Sequence, residues 1–267
     1  MPAESISALE PWIRVGVFAA VFLTVGAWEV FSPRRLSRYP RLRRWLPNLA
    51  LLALDVAVVR VVAPGVVVAT ALESAARGWG VLNVLEIPPL LGVLLGFIAL
   101  DLVIYGQHVL FHRVPALWRL HRVHHTDPDF DVTTASRFHP VEILLSVAIK
   151  CVAVAGLGAP VLAVLLFEVV LSAAAMFNHA NGRLPQGVDR WLRWIVVTPD
   201  MHRVHHSVVP AEMNSNFGFN LPWWDRSFGT YRDQPAAGHA DMRIGVEDFI
   251  GDESISLPRL LVQPLRA

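Results

Sequence analysis

The 267-residue sequence contains one cysteine, one lysine and few charged residues overall. A single cysteine, Cys151, excludes both an intramolecular disulfide and a zinc site built from several cysteines. Charged residues make up 17% of the chain and hydrophobic residues 54%, whereas soluble domains average about 25% charged residues. The net charge is only +1, so no basic surface for nucleic acid is indicated. These shortages argue against a soluble protein and favour one that lies in a membrane.

Several catalytic and redox motifs are absent from these residues. There is no HExxH segment, so the helix of the common zinc peptidases is missing. There is also no CxxC pair of the rubredoxin type, no haem-domain sequence and no GxGxxG loop for a dinucleotide. An electron-consuming reaction on this chain would therefore need a separate electron-transfer protein.

Long apolar runs indicate membrane-spanning helices, since one span takes about 20 apolar residues. They cover 12–32, roughly 46–70, roughly 88–107 and 141–178. The last run is too long for one span and is broken at residues 156–160, which predicts a helical hairpin that returns to its starting side. In the second run we expect Asp55 and Arg60 to pair, because an isolated charge inside a membrane is costly.

Arginines set the expected orientation of these spans. Six of them lie between the first two runs, at Arg34, Arg35, Arg38, Arg41, Arg43 and Arg44. The loop near 71–87 has only Arg77. By the positive-inside rule the arginine-rich loop is cytoplasmic. Counting spans from this loop places the end of the third run and both ends of the hairpin on the cytoplasmic side.

Eight of the eleven histidines form three compact groups. These are His108 and His112, then His121, His124 and His125, then His202, His205 and His206. Spacings of three and four residues place the members of a group on one face of a helix. Pro115 suits the first turn of a new helix between the first two groups. Thr198 followed by Pro199 predicts an N-cap and a first helical residue, so the third group is expected on a short helix.

Clustered imidazoles predict a metal site. Without a shared partner, eight buried rings would leave lone pairs unsatisfied. One tetrahedral ion takes about four ligands, so eight histidines point to two ions. Imidazole suits iron, zinc, copper and nickel, so the ligand type does not choose the metal. The alternative is a pH-sensing or proton-relay cluster of histidines.

At these residues the sequence resembles the fatty acid hydroxylase superfamily, the membrane group that contains sterol desaturases and lipid hydroxylases. The resemblance covers roughly 95–232. Beyond the three histidine groups it includes Pro115-Ala116-Leu117-Trp118, Ser136-Arg137-Phe138-His139-Pro140-Val141-Glu142, Phe177-Asn178-His179-Ala180-Asn181, Asn216-Phe217-Gly218 and Trp224-Asp225-Arg226-Ser227-Phe228-Gly229-Thr230-Tyr231. The first ninety residues match only as generic spans.

The resemblance implies two irons that activate O₂ and oxidise a C–H bond of a lipid, sterol or other hydrophobic substrate by hydroxylation or desaturation. It implies that the eight clustered histidines are ligands and adds His139 and His179 to them. Its electrons would come from a ferredoxin- or cytochrome-type system. On the residues alone, zinc as a substitute metal, a metal-binding membrane protein without oxygenase activity and a zinc-dependent membrane hydrolase stay open.

The sequence thus predicts an all-α, polytopic membrane bundle of about four to five helices with a cytoplasmic helical cap that carries the metal site. We expect N-terminal membrane helices at 1–90, the catalytic region at 91–232 and a tail at 233–267. Carboxylates are expected to orient ligand rings through their second nitrogen. The candidates are Asp101, Asp127, Glu142, Asp200 and Asp225. His239 matches no motif and is expected at the surface.

Overall fold

The computed structural model describes residues 3–249 and 251–266, and every regular element in those ranges is helical. The first eight helices are α1 (Ala3–Phe31), α2 (Arg41–Val62), α3 (Val66–Arg77), α4 (Val81–Val84), α5 (Pro89–Arg113), α6 (Pro115–His125), α7 (Pro140–Leu157) and α8 (Val161–Asn178). The shorter ones that follow are α9 (Gln186–Leu192), α10 (Pro199–His205), α11 (Pro210–Met213), α12 (Trp223–Ser227), α13 (Gly238–Asp241) and α14 (Leu257–Val262). The all-α prediction is confirmed.

Five helical stretches in the described residues are long and apolar enough to cross a membrane. They are Trp12–Phe31, Arg41–Val84, Pro89–Arg113, Pro140–Leu157 and Val161–Asn178. Each predicted run has its counterpart, and the run 141–178 is indeed two helices. The chain therefore has the architecture of an integral membrane protein.

The second apolar run differs from the single span predicted at 46–70. The structure begins α2 five residues earlier and breaks the run at Ala63-Pro64-Gly65, after which α3 begins. Pro64 disfavours helical geometry at the residue before it, and Ala63 has φ −144° and ψ 52°. Gly65 adopts the left-handed conformation, with φ 63°. These three residues explain why one hydrophobic run gives two helices.

The turn between α7 and α8 lies against the segment that follows α3. Gly158 ends α7 with φ 67°, and a Cβ placed on Gly80 would lie 2.0 Å from the Gly158 nitrogen. This close approach requires glycine at residue 80. A Cβ on Gly92, near the start of α5, would meet Pro160 at 3.5 Å. The turn and the start of α5 thus share one end of the bundle, and the end of α5, the start of α7 and the end of α8 share the other.

The predicted pair of Asp55 and Arg60 is wrong. Asp55 is buried, its Oδ1 atom has no hydrogen-bond partner, and Arg60 is exposed. Residues five apart on a helix do not lie on the same face, since neighbours are three or four apart. Asp55 instead lines a cavity between α1, α2, α7 and α8.

The C-terminal segment packs against the helix that carries the second histidine group. Arg122 of α6 donates to the carbonyl oxygens of Gln263 at 2.7 Å and Arg266 at 2.6 Å. Leu260 of α14 is fully buried with Leu51 and Val123. These contacts give the segment a structural role. The division at residues 90 and 232 stays a prediction.

Candidate metal centre

Three helices bring the histidine groups together at one end of the bundle. The first group lies in the last two turns of α5, and the second fills the last two turns of α6. The third lies on α10 and on His206, which directly follows it. This helix begins at Pro199, and its N-cap Thr198 accepts from the Met201 N–H. The prediction of a short capped helix at this point is confirmed. His179, the residue that follows α8, joins them.

Nine histidines form two groups in which one ligand atom from each residue lies within 4.8 Å of the others. The first group is His108, His112, His121, His125 and His205, and the second is His124, His179, His202 and His206. All are buried except His112, which is half-buried. The rings of His125 and His206 stack at 4.5 Å between centroids, so the two groups are adjacent.

Hydrogen bonds to main-chain oxygens fix the proton on three of these rings, and a fourth ring is bonded to a carboxyl group. The Nδ1 atoms of His108, His205 and His179 each lie 2.7 Å from a main-chain oxygen, those of Phe217, Ser215 and Ala175 respectively. His121 Nδ1 lies 2.7 Å from the Glu142 carboxylate. The three main-chain oxygens only accept, so the Nδ1 atoms of His108, His205 and His179 donate and their Nε2 atoms carry lone pairs. An ionised Glu142 would accept from His121 Nδ1 in the same way. This is the usual arrangement around metal-binding imidazoles.

The Nε2 atoms of neighbouring rings face one another, so their lone pairs repel unless a cation lies between them. His179 Nε2 lies 3.1 Å from both His124 Nε2 and His202 Nε2. With its proton on Nδ1, His179 has only one lone pair, and this cannot accept from both neighbours. Nitrogens bound about 2.1 Å from one ion lie roughly 3.0 to 3.4 Å apart, the smaller value for ligands at right angles. The 3.1 Å contacts therefore fit a shared ion.

Burial keeps the rings in the form that binds metal. Burial lowers the pKa of His121 to about 3 and, despite the hydrogen bond to Ala175, that of His179 to about 4. The pKa values of His124, His125, His202, His205 and His206 are also lowered, first by burial and then by neighbouring histidines. Neutral imidazole is the ligand form of histidine. The nine residues thus fit two metal ions.

His139, which the family resemblance adds to the ligands, lies in neither group. It is the N-cap of α7, where its Nδ1 accepts from the Val141 N–H at 3.2 Å. Its Nε2 donates to the Leu261 carbonyl oxygen at 3.2 Å. Both ring nitrogens are therefore engaged away from the cluster, and His139 joins the C-terminal segment to the start of α7.

His239 is not at the surface as expected. Its side chain is buried, and its Nε2 lies 3.6 Å from an Asp200 oxygen. It belongs to neither histidine group. Burial lowers the pKa of His239 to about 4, although the Asp200 carboxylate opposes that shift.

Among the five predicted carboxylates, only Glu142 contacts a ring of the two histidine groups. Asp225 acts one step further away, because it accepts from the N–H groups of Phe217 and Gly218 at 2.8 Å. It thereby holds the loop whose Phe217 carbonyl accepts from His108. The other three bind residues outside the two histidine groups. Asp127 binds Arg44, Asp200 binds Arg203, and Asp101 binds Asn220 in the segment between α11 and α12.

The carbonyl acceptors at Phe217, Ser215 and Ala175 were not predicted. Main-chain oxygens occur at every residue, so no residue type in the sequence marks them. Asn216, which lies between two of them, gives a partial signal. It adopts φ 51°, a conformation that asparagine tolerates better than most residues, and its side chain donates to the Met201 carbonyl oxygen.

Changing Glu142 to glutamine is expected to weaken metal binding by about 10- to 100-fold, the usual cost of losing a partner of a ligating histidine. Glutamine keeps an acceptor for the His121 N–H but removes the negative charge that makes the ring a stronger ligand. Competition for the metal with a coloured chelator measures the change. Glu73→Gln, on the exposed face of α3, is the matched control. Equal metal affinity in the two variants would contradict this role for Glu142.

A cavity of about 290 Å³ opens from the metal centre into the bundle. At one end it is lined by His108, His121 and Glu142. Its walls are largely apolar and include Ile104, Phe138, Val147, Leu171 and Phe219. The site therefore has an apolar approach between the membrane helices.

Comparison with known proteins places these residues in context. The family model for fatty acid hydroxylases matches residues 93–230. Ornithine lipid hydroxylase OlsE of Rhizobium tropici is 34% identical over 57% of this chain and 45% of its own length. Alkylglycerol monooxygenase of Xenopus tropicalis is 31% identical over 51% of this chain and 30% of its own length. Cholesterol 25-hydroxylase of Rattus norvegicus is 31% identical over 54% of this chain and 47% of its own length.

The match spans less than half the length of each of these relatives, and no solved structure matches the chain. The matched segment nevertheless contains α6, α7, α8 and α10 in full and most of α5, so it includes all nine clustered histidines. More than half of the chain is covered by the family model. The chain belongs to the fatty acid hydroxylase family.

Proposed function

We propose that this protein is a membrane-bound di-iron oxygenase that uses O₂ and external electrons to hydroxylate or desaturate a C–H bond of a lipid, a sterol or another hydrophobic molecule. The observation that carries the proposal is the pair of adjacent histidine groups at the end of an apolar cavity between membrane helices. The relatives, named as hydroxylases and monooxygenases of lipids and a sterol, support the same reaction class.

We propose nine metal ligands. They are His108, His112, His121, His125 and His205 for one ion and His124, His179, His202 and His206 for the other. His139 is left out because both of its ring nitrogens are engaged elsewhere. Iron would supply the oxidising power, which no side chain has.

The chain's own residues prepare the site for that chemistry. The carbonyl oxygens of Phe217, Ser215 and Ala175 hold ligand rings in one tautomer, so the Nε2 lone pairs face the metals. The apolar walls of the cavity exclude water and accept an alkyl chain. His108 and His121 line the cavity as well as the metal centre, which brings a bound chain close to the metals.

The electrons would come from a separate ferredoxin- or cytochrome-type protein that docks on the cytoplasmic side. The arginines at 34–44 support that orientation, since the same end of the bundle carries the metal centre. Several of them also have a structural task. Arg34 donates to Asp200, Arg35 to the Met242 carbonyl oxygen and Arg44 to Asp127. Because these contacts also explain why arginines are concentrated at 34–44, the orientation in the membrane needs a separate test. Labelling of residues at the two ends of the bundle in intact cells would provide it.

Metal analysis and oxygen uptake test the function together. Protein purified without chelator is expected to contain about two irons per chain, one for each histidine group. With a reduced ferredoxin and a membrane lipid extract it should consume O₂ and yield an oxidised lipid seen by mass spectrometry. Stoichiometric zinc without oxygen uptake would overturn the oxygenase and favour a hydrolase. Bound metal with neither oxygen uptake nor hydrolysis would favour a protein that only binds metal.

A further inference from the structure

Three charged side chains meet inside the bundle, away from the metal centre. Lys150 of α7 donates to Glu168 of α8 at 2.6 Å, and Arg14 of α1 donates to the other Glu168 oxygen at 2.6 Å. The side chains of Lys150 and Glu168 are only 16% and 12% exposed. Lys150 is also the only lysine of the chain. Ionisable groups inside a membrane protein are costly, and they commonly mark a binding site or pathway.

The charged group lines the same cavity as the metal centre. Lys150, Glu168 and Arg14 lie along it together with His108 and Glu142. Lys150 follows Glu142 by eight residues on α7, so the two are about 12 Å apart along the helix axis. The cavity is therefore amphipathic: a charged end deep in the bundle is joined by apolar walls to the metals.

Lys150 has unused hydrogen-bonding capacity. An ammonium group has three N–H donors, and in the described residues only Glu168 accepts from this one. In apolar surroundings an unsatisfied charged donor is expensive. An oxygen of a bound molecule would satisfy it, and an anionic oxygen gives the stronger bond.

An adjoining cavity gives such a molecule room. It has about 480 Å³ and is lined by Lys150, Arg14 and Ser172 from the shared wall and by Asp55 and Val56 of α2. Lys150 lines both spaces, which together are bounded by residues of α1, α2, α5, α7 and α8.

We propose that Lys150 binds an anionic oxygen, carboxylate or phosphate, of an amphiphilic substrate whose alkyl segment extends to the metal centre. Lys150 is then a specificity-determining residue, because the distance of about 12 Å selects which carbon reaches the metals. Glu168 holds the ammonium in place, and Arg14 in turn binds the other Glu168 oxygen. This inference deepens the proposed function by naming a substrate class, and it rests on that function only for the role of the metals.

The purely structural alternative is that the three charges tie α1, α7 and α8 together. Both ideas predict that losing Lys150 disturbs the bundle. They differ in ligand choice, since a structural tie does not distinguish an acid from an alcohol with the same chain.

Binding of matched amphiphiles separates them. We would measure how palmitate, cetyl phosphate and cetyl alcohol displace a fluorescent fatty acid from the purified full chain in detergent. An anion is expected to bind at least about tenfold more tightly than the alcohol, as for one hydrogen bond to a charged group. The preferred anion identifies carboxylate or phosphate. In Lys150→Met the affinity for the anion should nearly equal that for the alcohol. Lys150→Arg keeps the charge and should therefore keep the tighter binding of the anion.

Equal binding of acid and alcohol by the unaltered protein, or an unchanged preference in Lys150→Met, would overturn the proposal. If Lys150→Met does not fold, the single lysine offers another measurement. Palmitate or cetyl phosphate should protect Lys150 from an amine-directed reagent better than cetyl alcohol does, and equal protection would refute the assignment. No turnover is needed, so anion binding without oxygen uptake would count against the oxygenase alone.

Discussion

Replacing His124 by alanine is expected to abolish metal retention and turnover together. His124 Nε2 lies 3.1 Å from His179 Nε2 in the group of four, and its ring stacks on Phe138 at 4.5 Å between centroids. A four-histidine group has no spare ligand, and the fully buried site gives water little access to replace one. Loss of a partner one step from the metal costs about 10- to 100-fold, so loss of the ligand itself should exceed about 100-fold.

His139→Ala is the matched control for that experiment. It removes an imidazole that the sequence pattern joins to the same site but that the structure places at the N-cap of α7. Its expected cost is that of a cap, about 1 kcal/mol of stability, with metal content and turnover retained. Iron content by mass spectrometry and oxygen uptake are measured on both variants. Full activity in His124→Ala would remove the metal assignment, and loss of metal in His139→Ala would return that residue to the ligands.

The three histidine groups could be predicted from the sequence because their spacing matches the period of an α-helix. Spacings of three and four residues put the side chains of α5, α6 and α10 on one face each, and Pro115 and Pro199 marked where two of these helices begin. The family resemblance added His139 and His179 to the ligands, but only His179 lies in one of the two histidine groups. His179 follows the last residue of α8 and points into the cluster, whereas His139 precedes Pro140 and caps α7.

The spacing does not predict which groups form hydrogen bonds with the histidine rings. The acceptors that fix His108 and His205 are main-chain oxygens 109 and 10 positions away along the chain, respectively. Glu142 was one of five candidate carboxylates, and only the packing of α6 against α7 distinguishes it. Asp55 and Arg60 do not pair because a spacing of five residues places them on different faces of α2, although their charges are complementary.

A buried network of charges holds the loop that follows α6, and its central residue is Arg44. Arg44 binds both Asp127 oxygens, at 2.8 and 2.9 Å, and Asp131 at 2.6 Å. Burial alone would raise the pKa of Asp127, but the guanidinium groups of Arg44 and Arg137 outweigh it and hold the pKa below its usual range. Asp127 is therefore ionised. Since Asp127 comes two residues after His125, this network fixes the end of the helix that carries the second histidine group.

Changing Arg44 to methionine is expected to lower the free energy of unfolding by about 3 to 5 kcal/mol, because it leaves the buried Asp127 carboxylate without its main partner. Arg44→Lys should recover only part of this, since an ammonium cannot bind both Asp127 oxygens in the planar geometry of guanidinium. Thermal unfolding in detergent, with metal content recorded on the same samples, measures the loss.

The neighbouring substitution Arg43→Met is the control, because Arg43 lies on the exposed side of the same helix turn. It should change stability by no more than about 1 kcal/mol, the upper end for an interaction of an exposed charged side chain. The double variant Arg44→Met with Asp127→Asn should regain part of the lost stability, since it removes the unpaired charge along with its partner. If Arg44→Met and Arg43→Met unfold at the same temperature, the charge network does not hold the metal helix. The position of His125 would then depend on the packing of α6 against α5, α7 and the C-terminal segment.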